Sequence, residues 1–142
     1  MGTVLVDRFL DNCDTVVAAD LDRDALEALR VKLDAGTRLV IAEADTEEEA
    51  DCGRLADVAR DAAGRVDVLV NCAGHFPIRT FAEMSADEWR YVIDINLTGA
   101  FLITRAMLPQ MHGRGWGRIV YIRSASVFEG VPGQAHYCGC EG

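Results

Sequence analysis

The sequence predicts an α/β fold, a doubly wound parallel sheet of Rossmann-like type. Short apolar and β-branched runs alternate with helical stretches of about twelve or more residues, the order that builds a parallel sheet covered on both faces. The runs are apolar throughout and do not alternate with polar residues, as expected of strands buried on both sides. Right-handed crossovers between such strands then give the doubly wound layer. At 142 residues the chain is one domain at most.

Each element has its own signal. Val4, Leu5, Phe9 and Leu10 have helical spacing. Thr15 to Ala19 is a buried strand ending at Asp20. Asp22 to Leu33 is a helix with Asp22 as N-cap and Leu21, Leu26, Leu29 and Leu33 on one face, ended by Gly36. Arg38 to Ala42 is the next strand, followed by Asp45. Glu47 to Ala63 is a helix whose acidic first turns suit the helix dipole, stopped by Gly64. Val66 to Val70 is a strand running into Asn71-Cys72-Ala73-Gly74. Ser85 caps a long helix through Gln110, with Trp89, Val92, Ile93, Ile95, Leu97, Phe101, Leu102 and Met107 as its apolar face. Arg118 to Ile122 is the last strand, and Ser124 closes it.

Composition removes several functional classes. Fourteen basic residues against 23 acidic ones give a net charge of −9. That disfavours nucleic acid and anionic membranes as partners. No stretch reads as the ~20 apolar residues of a membrane span, and no basic-then-apolar leader is visible, so a cytoplasmic location is expected. Five cysteines, Cys13, Cys52, Cys72, Cys138 and Cys140, are an odd number without framework spacing and argue against a disulfide scaffold. Cys138 and Cys140 have no further ligands at zinc spacing, and His75, His112 and His136 are scattered, so no metal is expected.

Chemistry gathers at the strand ends. An acidic residue after a strand, as at Asp20, accepts hydrogen bonds from a ribose and repels a 2′-phosphate. The same residue reads equally well as a turn and helix cap. Asn96 and Gly99 lie inside the long helix, where Asn is a poor helix former and Gly costs about 1 kcal/mol against Ala, so both have another use. Ligands of parallel sheets sit beyond the carboxyl ends of strands, where Ser124 falls.

Ser124 precedes Tyr137 by thirteen residues. With Asp20, Asp45, Asn71, Ala73, Gly74, Asn96 and Gly99, this set resembles the short-chain dehydrogenase/reductase family. The resemblance implies a partial NAD(P)-binding Rossmann domain over residues 1–142. It implies hydride transfer between NAD(H) and a small carbonyl or alcohol substrate, in the lineage of 3-oxoacyl thioester reductases. Tyr137 would be the general acid, Ser124 would hydrogen-bond the same oxygen, and Asn96 would kink its helix and hold a relay water. Gly2, Asp20, Asp45, Asn71, Ala73 and Gly74 would contact the cofactor, with Asp20 favouring NAD over NADP. Full-length relatives are expected to be homo-oligomeric.

Two departures accompany the match. The family opens with a strand and a glycine loop that cradles the pyrophosphate on backbone N–H groups. Here Gly2 aligns with the last glycine of that loop, and the strand and C-terminal strands are missing. At position 141 the family has a lysine that lowers the tyrosine pKa, whereas this chain has Glu141. A carboxylate acts in the opposite direction. One codon choice for the tail, TAC-TGC-GGC-TGC-GAA-GGC, reads Tyr-Ala-Ala-Ala-Lys-Ala once the T after TAC is deleted. A one-base slip in the coding DNA is therefore expected, against the alternative of a divergent tail. The competing functional readings are an inactive fragment or nucleotide-binding remnant and, less in keeping with the motif set, a Rossmann-like methyltransferase.

Overall fold

The structure is a computed structural model that describes residues 1–12 and 15–141. Cys13, counted above among the unbridged cysteines, and Gly142, the expected domain end, lie outside the described residues. In chain order the larger elements are α1 (Gly2–Asn12), β1 (Val16–Asp20), α2 (Arg23–Leu33), β2 (Leu39–Glu43), α3 (Glu49–Ala63) and β3 (Val68–Asn71). They are followed by α4 (Ala86–Ile93), a π-helical turn (Asp94–Thr98), α5 (Gly99–Met111), β4 (Arg118–Tyr121), α6 (Ser126–Glu129) and α7 (Ala135–Glu141).

Helix ends follow their capping residues. Asp22 accepts the Ala25 N–H at 2.9 Å to start α2. Ser85 and Glu88 form a reciprocal capping box at α4, with Ser85 Oγ accepting the Glu88 N–H and Glu88 accepting the Ser85 N–H. Gly64 closes α3 in the left-handed region at φ 72°. Gly36 does not end α2. Asp34 does, at φ 42°, donating its N–H to Arg30 O at 3.1 Å, and Gly36 opens a 3-10 turn instead. Asp, like Asn, enters the left-handed region more readily than most side chains.

The strands form two separate parallel pairs. β1 pairs with β2, Val16 opposite Leu39, and β3 pairs with β4, Val68 opposite Arg118. A cleft of about 900 Å³ separates β1 from β3, walled by α1, α3 and α5. Two cores flank it. Cys52, Leu55, Ala56, Ala59, Ile103 and Met107 join α3 to α5, and Leu10, Ala18, Leu26 and Leu39 join α1 and α2 to the first pair.

The run Ala86–Met111 is 26 residues and apolar enough, by length and composition, to cross a membrane, contrary to the sequence reading. Here it packs along α3 as a core helix. Only part of its expected apolar face is covered. Val92 and Met107 are buried, while Trp89, Leu97 and Phe101 stand exposed. The apolar stripe is wider than the surface α3 offers; α7 covers it at Val92 and Ile93, and Phe101 meets only the Arg105 guanidinium laid over its ring among the contacts of the described residues.

Candidate functional site

The site is built at the carboxyl ends of β1 and β3. After β3 the chain turns on Asn71, whose Oδ1 accepts the Ala73 N–H at 3.2 Å while its backbone oxygen accepts the Ile122 N–H at 3.1 Å. This turn holds Ala73 and Gly74 at the surface, beside the π-helical turn that contains Asn96.

Asn96 ties three segments together. Its Nδ2 donates to His75 O and to Val92 O, each at 2.8 Å, and its Oδ1 accepts the His75 N–H at 3.1 Å. The two helices therefore join through an irregular turn whose side-chain amide anchors a loop 21 residues away in sequence. π-Helical turns concentrate at functional sites. Both nearby glycines are explained by close approach. A Cβ on Gly74 would sit 3.0 Å from Asn96 Oδ1, and one on Gly99 would sit 3.0 Å from Thr46 Oγ1.

Tyr137 lies on α7, buried against Val92, Ile93 and Cys140, with the Phe76 ring tilted over it at 5.9 Å between centroids. Ser124 lies three residues past β4 and does not end that strand. Its Oγ accepts from Ser126 Oγ at 2.9 Å and from the Ser126 N–H at 3.2 Å. Ser126 O in turn accepts from the Cys138 thiol at 3.5 Å, next to Tyr137. Asn96 is linked to Tyr137 through Val92, and Ser124 to the helix that carries Tyr137 through Ser126 and Cys138.

Several residues of this neighbourhood escaped the sequence reading. Phe76 covers Tyr137, and Ser126 braces Ser124. The Arg79 N–H donates to Gly133 O at 2.8 Å, and Gln134 Nε2 donates to Phe76 O at 3.3 Å, pinning the 76–79 loop to the turn before α7. Gly133 is required there. It sits at φ 82°, and a Cβ would come within 2.8 Å of Ile78 Cγ2. The Pro132-Gly133 pair was the available signal. His136 is fully buried, and neither ring nitrogen has a hydrogen-bond partner among the described residues.

The remaining candidates divide. Gly2, Asp20, Asn71 and Ala73 all line the 900 Å³ cleft. Asn71 and Ala73 also line a second hollow of about 400 Å³ shared with Asn96 and Cys140, so they form the ridge between the two. The exposed Asp20 carboxylate accepts the Asp22 N–H at 3.1 Å, which supports its turn role and leaves acceptor capacity for a ligand. Asp45 is committed to the turn before α3, where Oδ1 accepts the Glu47 N–H at 2.9 Å and its own N–H donates to Asp51. Burial, then Asp45, Asp94 and Glu48, pushes the Glu47 carboxyl up. Burial raises the Cys72 thiol, and the positive amino terminus partly opposes this.

Known proteins resemble this chain in sequence and fold. The short chain dehydrogenase family model matches residues 1–140. The chain is 35% identical, over its whole length, to 56% of 2,3-dihydroxy-2,3-dihydro-p-cumate dehydrogenase from Pseudomonas putida. It is 33% identical to acetoacetyl-CoA reductase from Allochromatium vinosum, over 96% of this chain and 57% of that protein. A crystal structure of a short-chain dehydrogenase/reductase of glucose/ribitol dehydrogenase type from Brucella melitensis superposes with a TM-score of 0.90 at 28% identity, covering 99% of this chain and 60% of that one. The chain therefore spans a little over half the length of these relatives. Over that span, from the start of α1 to the tyrosine helix, it belongs to the short-chain dehydrogenase/reductase family.

Proposed function

We propose that this chain derives from an NAD(H)-dependent oxidoreductase acting on a carbonyl or secondary alcohol of a small molecule, in the lineage of 3-oxoacyl thioester reductases, and that its activity is impaired. The observation that carries this reading is the linkage of Asn96 to Tyr137 through Val92 and of Ser124 to the helix of Tyr137 through Ser126, with Asn96, Asn71 and Ala73 lining one hollow.

The donor set suits part of a dinucleotide. Asp20 offers an acidic acceptor for ribose hydroxyls and repels a 2′-phosphate, which favours NAD over NADP. Ala73 and Gly74 keep the end of β3 low enough for close approach of a nicotinamide ribose. Asn71 shapes that turn, and Asp45 acts by fixing the turn before α3. The phosphate end is poorly provided. Gly2 supplies a helix start, but its surroundings are open, and a Cβ there would meet nothing within 4 Å. A nicotinamide cofactor, when bound, supplies or accepts the hydride. Tyr137 Oη holds the proton that goes to the carbonyl oxygen, Ser124 Oγ donates a hydrogen bond to the same oxygen, and Asn96 keeps the helix turn and the His75 carbonyl in place for proton passage. General acid catalysis of this kind is worth about 10²–10⁴-fold. Residues 1–142 act as one partial domain in this reading. A cytoplasmic setting and a homo-oligomeric full-length form belong to the same proposal.

Calorimetric titration tests the cofactor assignment. NADH is expected to bind the chain more tightly than NADPH, and Asp20→Ala is expected to narrow the gap. Equal or tighter NADPH binding by the unmodified chain refutes it. The second reading, a nucleotide-binding remnant without turnover, is favoured by the open surroundings of Gly2, and NADH binding without NADH oxidation would select it.

A further inference from the structure

We infer that Phe76 is a side-chain gate over Tyr137 that selects carbonyl substrates with a flat apolar group beside the reacting carbon, an assignment that rests on Tyr137 as proton donor in the proposed reaction. Tyr137 is 8% exposed. A proton donor has to meet its substrate, so part of its cover has to move. Val92 and Cys140, which pack against Tyr137, are themselves buried. Phe76 differs from them. Its ring lies over the Tyr137 ring with 5.9 Å between centroids and a tilt of 52°, yet the residue is 63% exposed. Phe76 is thus the named neighbour that stands between the tyrosine and solvent.

The backbone that carries this ring is held on both sides. Asn96 binds the His75 N–H and the His75 carbonyl. The Phe76 carbonyl accepts from Gln134 Nε2 at 3.3 Å, and the Arg79 N–H donates to Gly133 O at 2.8 Å. Ile78 lies so close to the same turn that a Cβ on Gly133 would come within 2.8 Å of its Cγ2. The freedom left is rotation of the Phe76 side chain, a picosecond-to-nanosecond event in an exposed residue. The gate is a ring and not a loop.

The same contact defines what fits. Its spacing lies within the roughly 4.5–7 Å over which aromatic rings attract one another. A substrate that swings Phe76 aside breaks this ring pair. A flat apolar group next to the carbonyl restores it, lying against Tyr137 with Phe76 closing over its outer face. A short linear ketone restores neither contact. Such differences in an apolar pocket discriminate by about 10–200-fold. Arg79, in the same loop, is paired with Glu88 at 2.9 Å, so its charge is already matched and the rim beside Phe76 and Ile78 stays apolar.

Acetylation by N-acetylimidazole tests the gate, with each tyrosine of the 142-residue chain read by mass spectrometry after digestion. Tyr91 and Tyr121, 51% and 44% exposed, are the internal references. Tyr137 is expected to react more slowly than Tyr91. Phe76→Ala is expected to speed Tyr137 by about fivefold or more and leave both references unchanged, with Phe76→Leu, which keeps most of the bulk, in between. Acetophenone is expected to slow Tyr137 acetylation by about threefold or more in the unmodified chain and to lose that effect in Phe76→Ala, while acetone at the same concentration does not protect. Four results overturn the inference: Tyr137 as reactive as Tyr91 in the unmodified chain, no change in Phe76→Ala, a parallel rise in all three tyrosines, which would make Phe76 a packing residue, and acetophenone protecting no better than acetone. No cofactor enters this experiment, so its failure is distinct from a failure of NADH binding in the calorimetric titration.

Discussion

At the residue scale, Asn96 carries the most structural consequence for its size. Its amide makes three hydrogen bonds, two to the backbone of His75 and one to Val92 O. Asn96→Ala leaves these partners without their side-chain anchor, at a cost of about 1–3 kcal/mol where they are shielded from water. Amide exchange at His75 is expected to speed up by about tenfold or more, with helices α2 and α3 unaffected. Unchanged exchange at His75 would remove the anchoring role. The sequence exposed this residue because an Asn and a Gly inside a helical pattern contradict helix propensity. It did not expose Phe76 or Gly133, which meet Tyr137 and Arg79 across distant segments, nor Ser126, whose partners are Ser124 and Cys138.

Cys52 supplies a pH-dependent term at the same scale. Its side chain is 1% exposed in the α3–α5 core. Burial, then the Asp51 and Asp45 charges, raises its thiol above the ordinary value. The folded state thus binds the thiol proton more tightly than the unfolded state. Stability falls as pH climbs from the ordinary thiol range toward the raised folded value. Circular dichroism between pH 8 and 11 is expected to show helix loss. Cys52→Ala should make that loss shallower. An identical alkaline limb in the variant would assign the effect to other groups.

At the element scale, what was legible depended on how local the signal was. The caps at Asp22, Ser85 and Gly64 were read correctly because each acts within four residues. Strand positions were read to within one or two residues from apolar runs alone. Helices α6 and α7 were not foreseen. The first is four residues long, and the second contains Gly139 and is held by Val92 and Phe76, neither of them nearby in sequence. Long-range packing decided those elements, as it decided which side of the α4–α5 helix stayed exposed. The capping box gives a direct test. Ser85→Ala removes the acceptor of the Glu88 N–H and is expected to destabilise α4 by about 1 kcal/mol. Amide exchange in the first turn of α4 should rise about fivefold, while α3 stays unchanged. No rise would mean that packing by α7, and not the cap, holds the start of this helix.

At the scale of the whole molecule, the cleft is expected to limit both stability and the proposed activity. Two pairs of strands, each with an unpaired edge open to the same 900 Å³ space, give a chain that buries less core than its length permits. An ANS-binding state without a sharp cooperative melt is expected for the chain on its own. The same gap lies between Asp20 and the Asn71–Gly74 turn, the two places where a dinucleotide would be held in the proposed reading, and no strand ladder joins its two walls among the described residues. Little or no NADH-dependent carbonyl reduction is therefore expected from the 142 residues. Position 141 adds a second obstacle, since it falls one helical turn after Tyr137 and holds an acid. Glu141→Lys alone is not expected to restore turnover, because the cleft stays open. A chimera tests the two effects together. Residues 1–142 with Glu141→Lys would be joined to the segments of the Pseudomonas putida dehydrogenase that this chain does not span. That protein is expected to melt cooperatively and to oxidise NADH with a ketone or 3-oxoacyl thioester. In it Tyr137→Phe should abolish turnover and Ser124→Ala should lower it by about 10²-fold or more. Turnover by the unmodified 142-residue chain would show that the cleft is no barrier, and a chimera indifferent to Tyr137→Phe would show that the proton comes from elsewhere.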